Sequence, residues 1–205
     1  MAQYAVPDAD TDTGGWTEFG AGSLFFAQID ETPVGVAGVD DEYITVAETM
    51  TMDVDGEAEF ELSTITDPEA TGDHIVRFRA RAAWAGMSVP TLTVLLLEDA
   101  GGAGEDEIRS ETTGGGTLDA LTTSWVDHSF TLTSAEANDI TTNTGYGDLS
   151  LRITATLGVM QADQVDVSQL FFETGDAPAG GGGTVNSASD NFSLVDNFGN
   201  HFSLE

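Results

Sequence analysis

The chain has 205 residues, with 36 acidic side chains against five basic ones and a formal net charge of −31 at pH 7. All five cations are arginines and there is no lysine, so nucleic acid and anionic membrane surfaces, which need cationic contacts, are excluded as partners. Cysteine is absent, which rules out disulfides and thiolate metal sites, and a hydrophobic content of 40% with 11 Phe rules out a disordered polyelectrolyte.

In chain order, "MAQYAVPDAD" is polar by its eighth residue, so no signal peptide is expected. The stretch "PDADTDTGGW" then sets Asp8, Asp10 and Asp12 at alternate positions before a glycine pair and Trp16. Alternating carboxylates resemble the first half of a calcium loop, and they make this triplet the candidate site for Ca²⁺ or Mg²⁺. The twelfth position of such a loop needs a bidentate Glu and here holds Phe19, so solvated surface carboxylates are the simpler reading. No motif requires a cofactor.

Period-two alternation follows, which is the signature of strands with one buried face. Strands are predicted at "SLFFAQI" (23–29), "EYITVAE" (42–48), "EAEFELS" (57–63) and "HIVRFRARAAW" (74–84). They continue at "TLTVLLLE" (91–98), "SWVDHSFTLT" (124–133), "DLSLRITAT" (148–156) and "QVDVSQLFFE" (164–173). No run reaches the length of a membrane span. One helical turn is expected at "TSAEAND", where Thr133 stands three residues before Glu136 in the spacing of a capping box. Many short strands without a long helical pattern predict an all-β protein. The architecture expected is a two-sheet antiparallel sandwich, a jelly roll, over residues 1–174.

"GDAPAGGGG" opens a glycine-rich linker, 175–185, before an apolar arm at 186–205. Phe192, Leu194, Phe198, Phe202 and Leu204 are the candidate docking residues of that arm. It is too short for a core of its own, so it either docks on another subunit, the favoured expectation, or folds back.

Arg77, Arg79 and Arg81 share one strand face. They form either an anion or sulfated-glycan patch or, as favoured here, a cross-strand ladder with an acidic face such as Glu57, Glu59 and Glu61. His74, His128 and His201 have no metal-ligand spacing. No nucleophile elbow, phosphate loop or dinucleotide turn occurs, and among so many carboxylates no glycosidase pair can be singled out, so a non-enzymatic role is expected. Of the aromatic residues, Trp84 shares a face with Phe78 and reads as core. Trp16 can cap the sandwich. Trp125, opposite the Phe130 face, is the candidate glycan contact.

"VPDADTDTGGWTEFGAGSLFFAQIDE", "DDEYI", "FELSTITDPEATGDHIVRFRARA" and "FTLTSAEANDITTNTGYGDLSLRITA" together resemble a recurrent jelly-roll module of structural proteins in tailed bacterial and archaeal viruses, over residues 4–173. The resemblance implies a particle or tail component and carries no active site. An acidic surface around an ordinary core, with lysine removed, suits molar salt, where the screening length falls to about 3 Å. It points to a haloarchaeal host, with an acidic mesophilic surface protein as the alternative. The expected function is thus a virion structural protein of a haloarchaeal tailed virus, in capsid decoration, a turret or the tail. Its expected partners are its own copies, as a homo-oligomer, and other virion proteins. The alternative is a glycan-binding or host-adhesion sandwich module with surface glycans as partners; a third, weaker reading is a cellular surface or secreted module.

Overall fold

The computed structural model describes residues 2–19, 24–30, 42–47, 56–85, 88–98, 106–140, 145–158 and 163–176, and the backbone of 194–195 and 201–202. Eleven strands precede the C-terminal arm: β1 (Ala2–Ala5), β2 (Pro7–Asp12), β3 (Thr17–Phe19), β4 (Tyr43–Ala47), β5 (Gly56–Leu62), β6 (Ile75–Ala83), β7 (Thr91–Glu98), β8 (Asp106–Thr112), β9 (Val126–Thr131), β10 (Leu149–Thr156) and β11 (Gln164–Asp176). One helix, α1 (Ser134–Asp139), lies between β9 and β10.

The strands form the expected sandwich. One sheet runs β3-β4-β11-β6-β9, with β1 also paired to β11, and the other runs β2-β5-β10-β7-β8. All these pairings are antiparallel. Alternation decides which side chains meet between the layers: Val76, Phe78, Ala80 and Ala82 from β6 face Ala58, Phe60 and Leu62 from β5 and the buried leucines of β7 and β10 across one continuous core. Burying each of Phe60, Phe78 and Phe172 contributes about 1.5–3 kcal/mol. In β11 the register shifts between Val167 and Gln169. The extra residue, Ser168, makes a bulge, so Leu170 and Phe172 still point inward after Val165 and Val167.

Two sequence expectations need correction. Residues 26–28 form a 3₁₀ turn instead of a strand. The Asp10 carboxylate on β2 accepts the backbone N–H groups of Phe25 (3.1 Å) and Phe26 (2.8 Å), which satisfies donors at the start of that turn. The Leu170 N–H then donates to the Ile29 carbonyl at 3.1 Å. The turn thereby occupies the edge of β11 between the stretch paired with β4 and the stretch paired with β1. The second correction is that β1, β2, β3 and β8 were not anticipated.

The capping box is present: Thr133 accepts from the Glu136 N–H, and the Glu136 carboxylate accepts from the Thr133 N–H. Glu136 is also held by Arg109 of β8 at 2.9 Å, which ties the helix to the second sheet. Of the C-terminal arm, Leu194–Val195 pairs antiparallel with His201–Phe202. Phe192, Phe198 and Leu204 lie outside the described residues, as do the side chains of Leu194 and Phe202, and with them the expected docking contacts.

Candidate functional site

The outer face of the first sheet carries the arginine stripe. Because β6 alternates, Arg77, Arg79 and Arg81 point away from the core. Their carboxylate partners belong to neighbouring strands of the same sheet: Glu173 and Asp166 on β11, and Asp127 on β9. The expected ladder with Glu57, Glu59 and Glu61 does not form, because β5 belongs to the other sheet. There Glu59 is held by Arg152 of β10, while Glu57 lies at the edge of that pair, 3.8 Å from Arg152. With Arg109 on Glu111 and Glu136, each of the five arginines is ion-paired.

The same face gathers three aromatic rings. The register sets Phe19 opposite Tyr43, and Thr17 opposite Thr45. Continuing across the sheet, Thr45 lies opposite Asp166 and Asp166 opposite Arg81. Phe19 and Tyr43 stack with centroids 4.4 Å apart and planes inclined by 16°. The Trp125 ring, one residue before β9, meets Tyr43 edge-on at 5.5 Å. The Arg81 guanidinium lies 4.4 Å from the Trp125 centroid and 5.2 Å from that of Tyr43, within cation–π range of both.

Polar groups border the rings. Asp166 accepts from Arg81 Nε at 2.7 Å and from the Gln164 amide. The Thr45 hydroxyl is buried with no hydrogen-bond partner. Burial, then the nearby Asp166 charge, raises the Tyr43 pKa, so its hydroxyl stays protonated at neutral pH. Phe19 is 54% exposed and Trp125 half-buried, so the rings present apolar surface to solvent beside fixed donors and acceptors. Such a face can stack on the C–H side of a ring-shaped polyol and hydrogen-bond its hydroxyls.

The remaining candidates sit elsewhere. Asp8, Asp10 and Asp12 lie on β2 of the second sheet and do not converge. Asp10 is committed to the 3₁₀ turn, Asp12 accepts from the Gly14 N–H at 3.0 Å, and Asp8 is exposed. Among the described residues no group of three or more His, Asp or Glu side chains is placed to hold a metal. Trp16 is buried in the core, and Trp84 packs against it partly exposed. His74 is fully buried, with Nε2 2.7 Å from the Tyr146 hydroxyl and Nδ1 3.0 Å from the Gly72 carbonyl. The carbonyl requires a proton on Nδ1, so the Tyr146 hydroxyl donates to Nε2 and the ring is neutral. Burial lowers the His74 pKa and pushes that of Tyr146 up to about 12. Beside them a cleft of about 220 Å³ is lined by Asp67, Glu69, Thr71, Asn138, Ile140 and Tyr146.

No family model matches the chain, and no curated protein matches it. Solved structures do. The family 30 carbohydrate-binding module of a cellulosomal cellulase of Clostridium thermocellum is similar at 12% identity and a TM-score of 0.45, covering 85% of this chain and 99% of that one. The K3 cleaved adhesin domain of Lys-gingipain from Porphyromonas gingivalis is similar at 11% identity and 0.43, covering 85% and 100%. A carbohydrate-binding module specific for non-crystalline cellulose matches at 12% and 0.43, covering 83% and 96%. These are carbohydrate-binding modules and an adhesin domain, where the sequence expectation required a virion component. The expectation of a haloarchaeal virion structural protein is therefore withdrawn, and the sandwich itself stands.

Proposed function

We propose that this chain is a glycan-binding β-sandwich module whose binding surface is the outer face of the first sheet. One observation carries the reading: Phe19, Tyr43 and Trp125, from three separate parts of the sequence, are brought into contact around Arg81 at a partly exposed surface. Aromatic pairs left at the surface cost burial that the core would otherwise gain. Here they surround a guanidinium, a carboxylate and an amide, the groups that fix hydroxyl orientation.

The test is binding of wild type and Trp125→Ala to a panel of immobilised polysaccharides. If a sugar ring covers about 80 Å² of the indole, its loss removes about 2 kcal/mol, roughly a thirtyfold weakening. Phe19→Ala should weaken binding by a smaller factor. Unchanged binding in both variants, with the fold intact, would refute the assignment.

A further inference from the structure

Arg81 stands among the rings of this face with its charge already matched. We propose that Asp166 is the specificity determinant of the face, a neutralising and positioning group that suits it to uncharged glycans over sulfated or carboxylated ones; the inference rests on the glycan-binding reading above. By itself Arg81 would make a good anion receptor, because a planar guanidinium beside Trp125 and Tyr43 can grip sulfate or carboxylate through paired N–H donors.

Asp166 already occupies that role. It is 3% exposed, one oxygen accepts from Arg81 Nε at 2.7 Å, and the other accepts from the Gln164 amide. An anionic sugar would have to displace a carboxylate held by burial and by a second hydrogen bond. The next cations along β6 offer no substitute, since Arg79 is engaged by Asp127 and Arg77 by Glu173. At physiological salt the screening length is about 8 Å, so this local pairing outweighs the distant part of the −31 charge. A neutral hydroxyl meets no such obstacle. It can donate to Asp166 and accept from those of the five guanidinium N–H groups that Asp166 leaves free.

The experiment is biolayer interferometry of the full chain, Asp166→Asn and Arg81→Gln on matched surfaces. These are hydroxyethylcellulose against carboxymethylcellulose and dextran against dextran sulfate, at about 0.1 and 1 M NaCl. Wild type should bind a neutral member with less than about a twofold change across this salt range, and its charged counterpart at least about tenfold more weakly. Asp166→Asn should gain about fivefold or more on the charged surface at low salt, and screening should abolish the gain at high salt. Arg81→Gln should gain nothing. A wild-type preference for the charged member overturns the inference, and that comparison decides even if a variant fails to fold. So does a folded Asp166→Asn that binds neutral glycan and gains no anion affinity; either result leaves the glycan-binding reading standing. Binding to no surface by any of the proteins overturns that reading and the inference with it.

Discussion

Arg152→Gln tests how the second sheet tolerates charge. Arg152 Nε on β10 donates to Glu59 Oε2 on β5 at 2.8 Å, and an Nη2 contact makes the pair two-pronged. Glu59 is only 3% exposed, and its other close donor is the Ser150 hydroxyl at 3.4 Å. Removing the guanidinium strands a buried carboxylate beside the remaining charge of Glu57, and breaking a buried pair from one side costs about 3–5 kcal/mol. The Arg152 side chain is 23% exposed, so water can reach part of the vacated space and the lower end, about 3 kcal/mol, applies. For a domain of this size that lowers Tm by about 6–12 °C. The assay is thermal unfolding followed by tryptophan fluorescence at pH 7 in about 2 M NaCl, where general repulsion is screened. Replacing both partners, as Glu59→Leu with Arg152→Met, should recover most of the loss because no orphaned charge is left. A Tm for Arg152→Gln within about 2 °C of wild type would refute the reasoning.

Further outcomes follow from the buried histidines, a close backbone approach and the net charge. Burial lowers the pKa of both His74, near Asp67 and Asp73, and His128, near Asp119 and Asp127. As pH falls below the unfolded value of 6.5, the unfolded chain takes up protons that the folded one resists, so stability must drop by at most about 2.7 kcal/mol per pH unit for the two groups together, and stay flat above about pH 7.5. Urea titrations from pH 5 to 8 check this, and a flat profile would count against two neutral buried imidazoles. Gly14→Ala should destabilise by about 1–3 kcal/mol, since its Cβ would come within 2.2 Å of the Glu57 carbonyl oxygen, whereas Gly72→Ala meets nothing within 4 Å and should be near neutral in the same melts. Raising NaCl from about 0.1 to 2 M should raise Tm steadily as screening relieves the −31 charge; a Tm independent of salt would remove that account of the acidic surface.

The sequence showed its strands where one face is buried and the other wet. β5, β6 and β10 alternate because their inward residues meet the opposite layer, and their limits were legible to within a residue or two. β2, β3 and β8 are edge strands with mixed burial on both faces, so nothing in their residue order marks them. The apolar run at 23–29 looked like a strand because periodicity cannot show that Asp10, from another strand, would supply its N–H groups with acceptors. The partners of the arginine stripe were misread for a related reason: alternation tells which face a residue takes but not which strands lie beside it. Trp125 was placed correctly on the side opposite Phe130. Its companions Tyr43 and Phe19 could be found only through strand register, although Tyr43 already alternates against Ile44 and Val46.

The 3₁₀ turn at residues 26–28 has a mechanical meaning beyond its place on an edge. One end is gripped by Asp10, which belongs to one layer of the sandwich, and the other by Leu170, which belongs to the opposite layer. It acts as a rivet. A force that tries to slide one layer over the other must break three hydrogen bonds at this point before the core begins to shear.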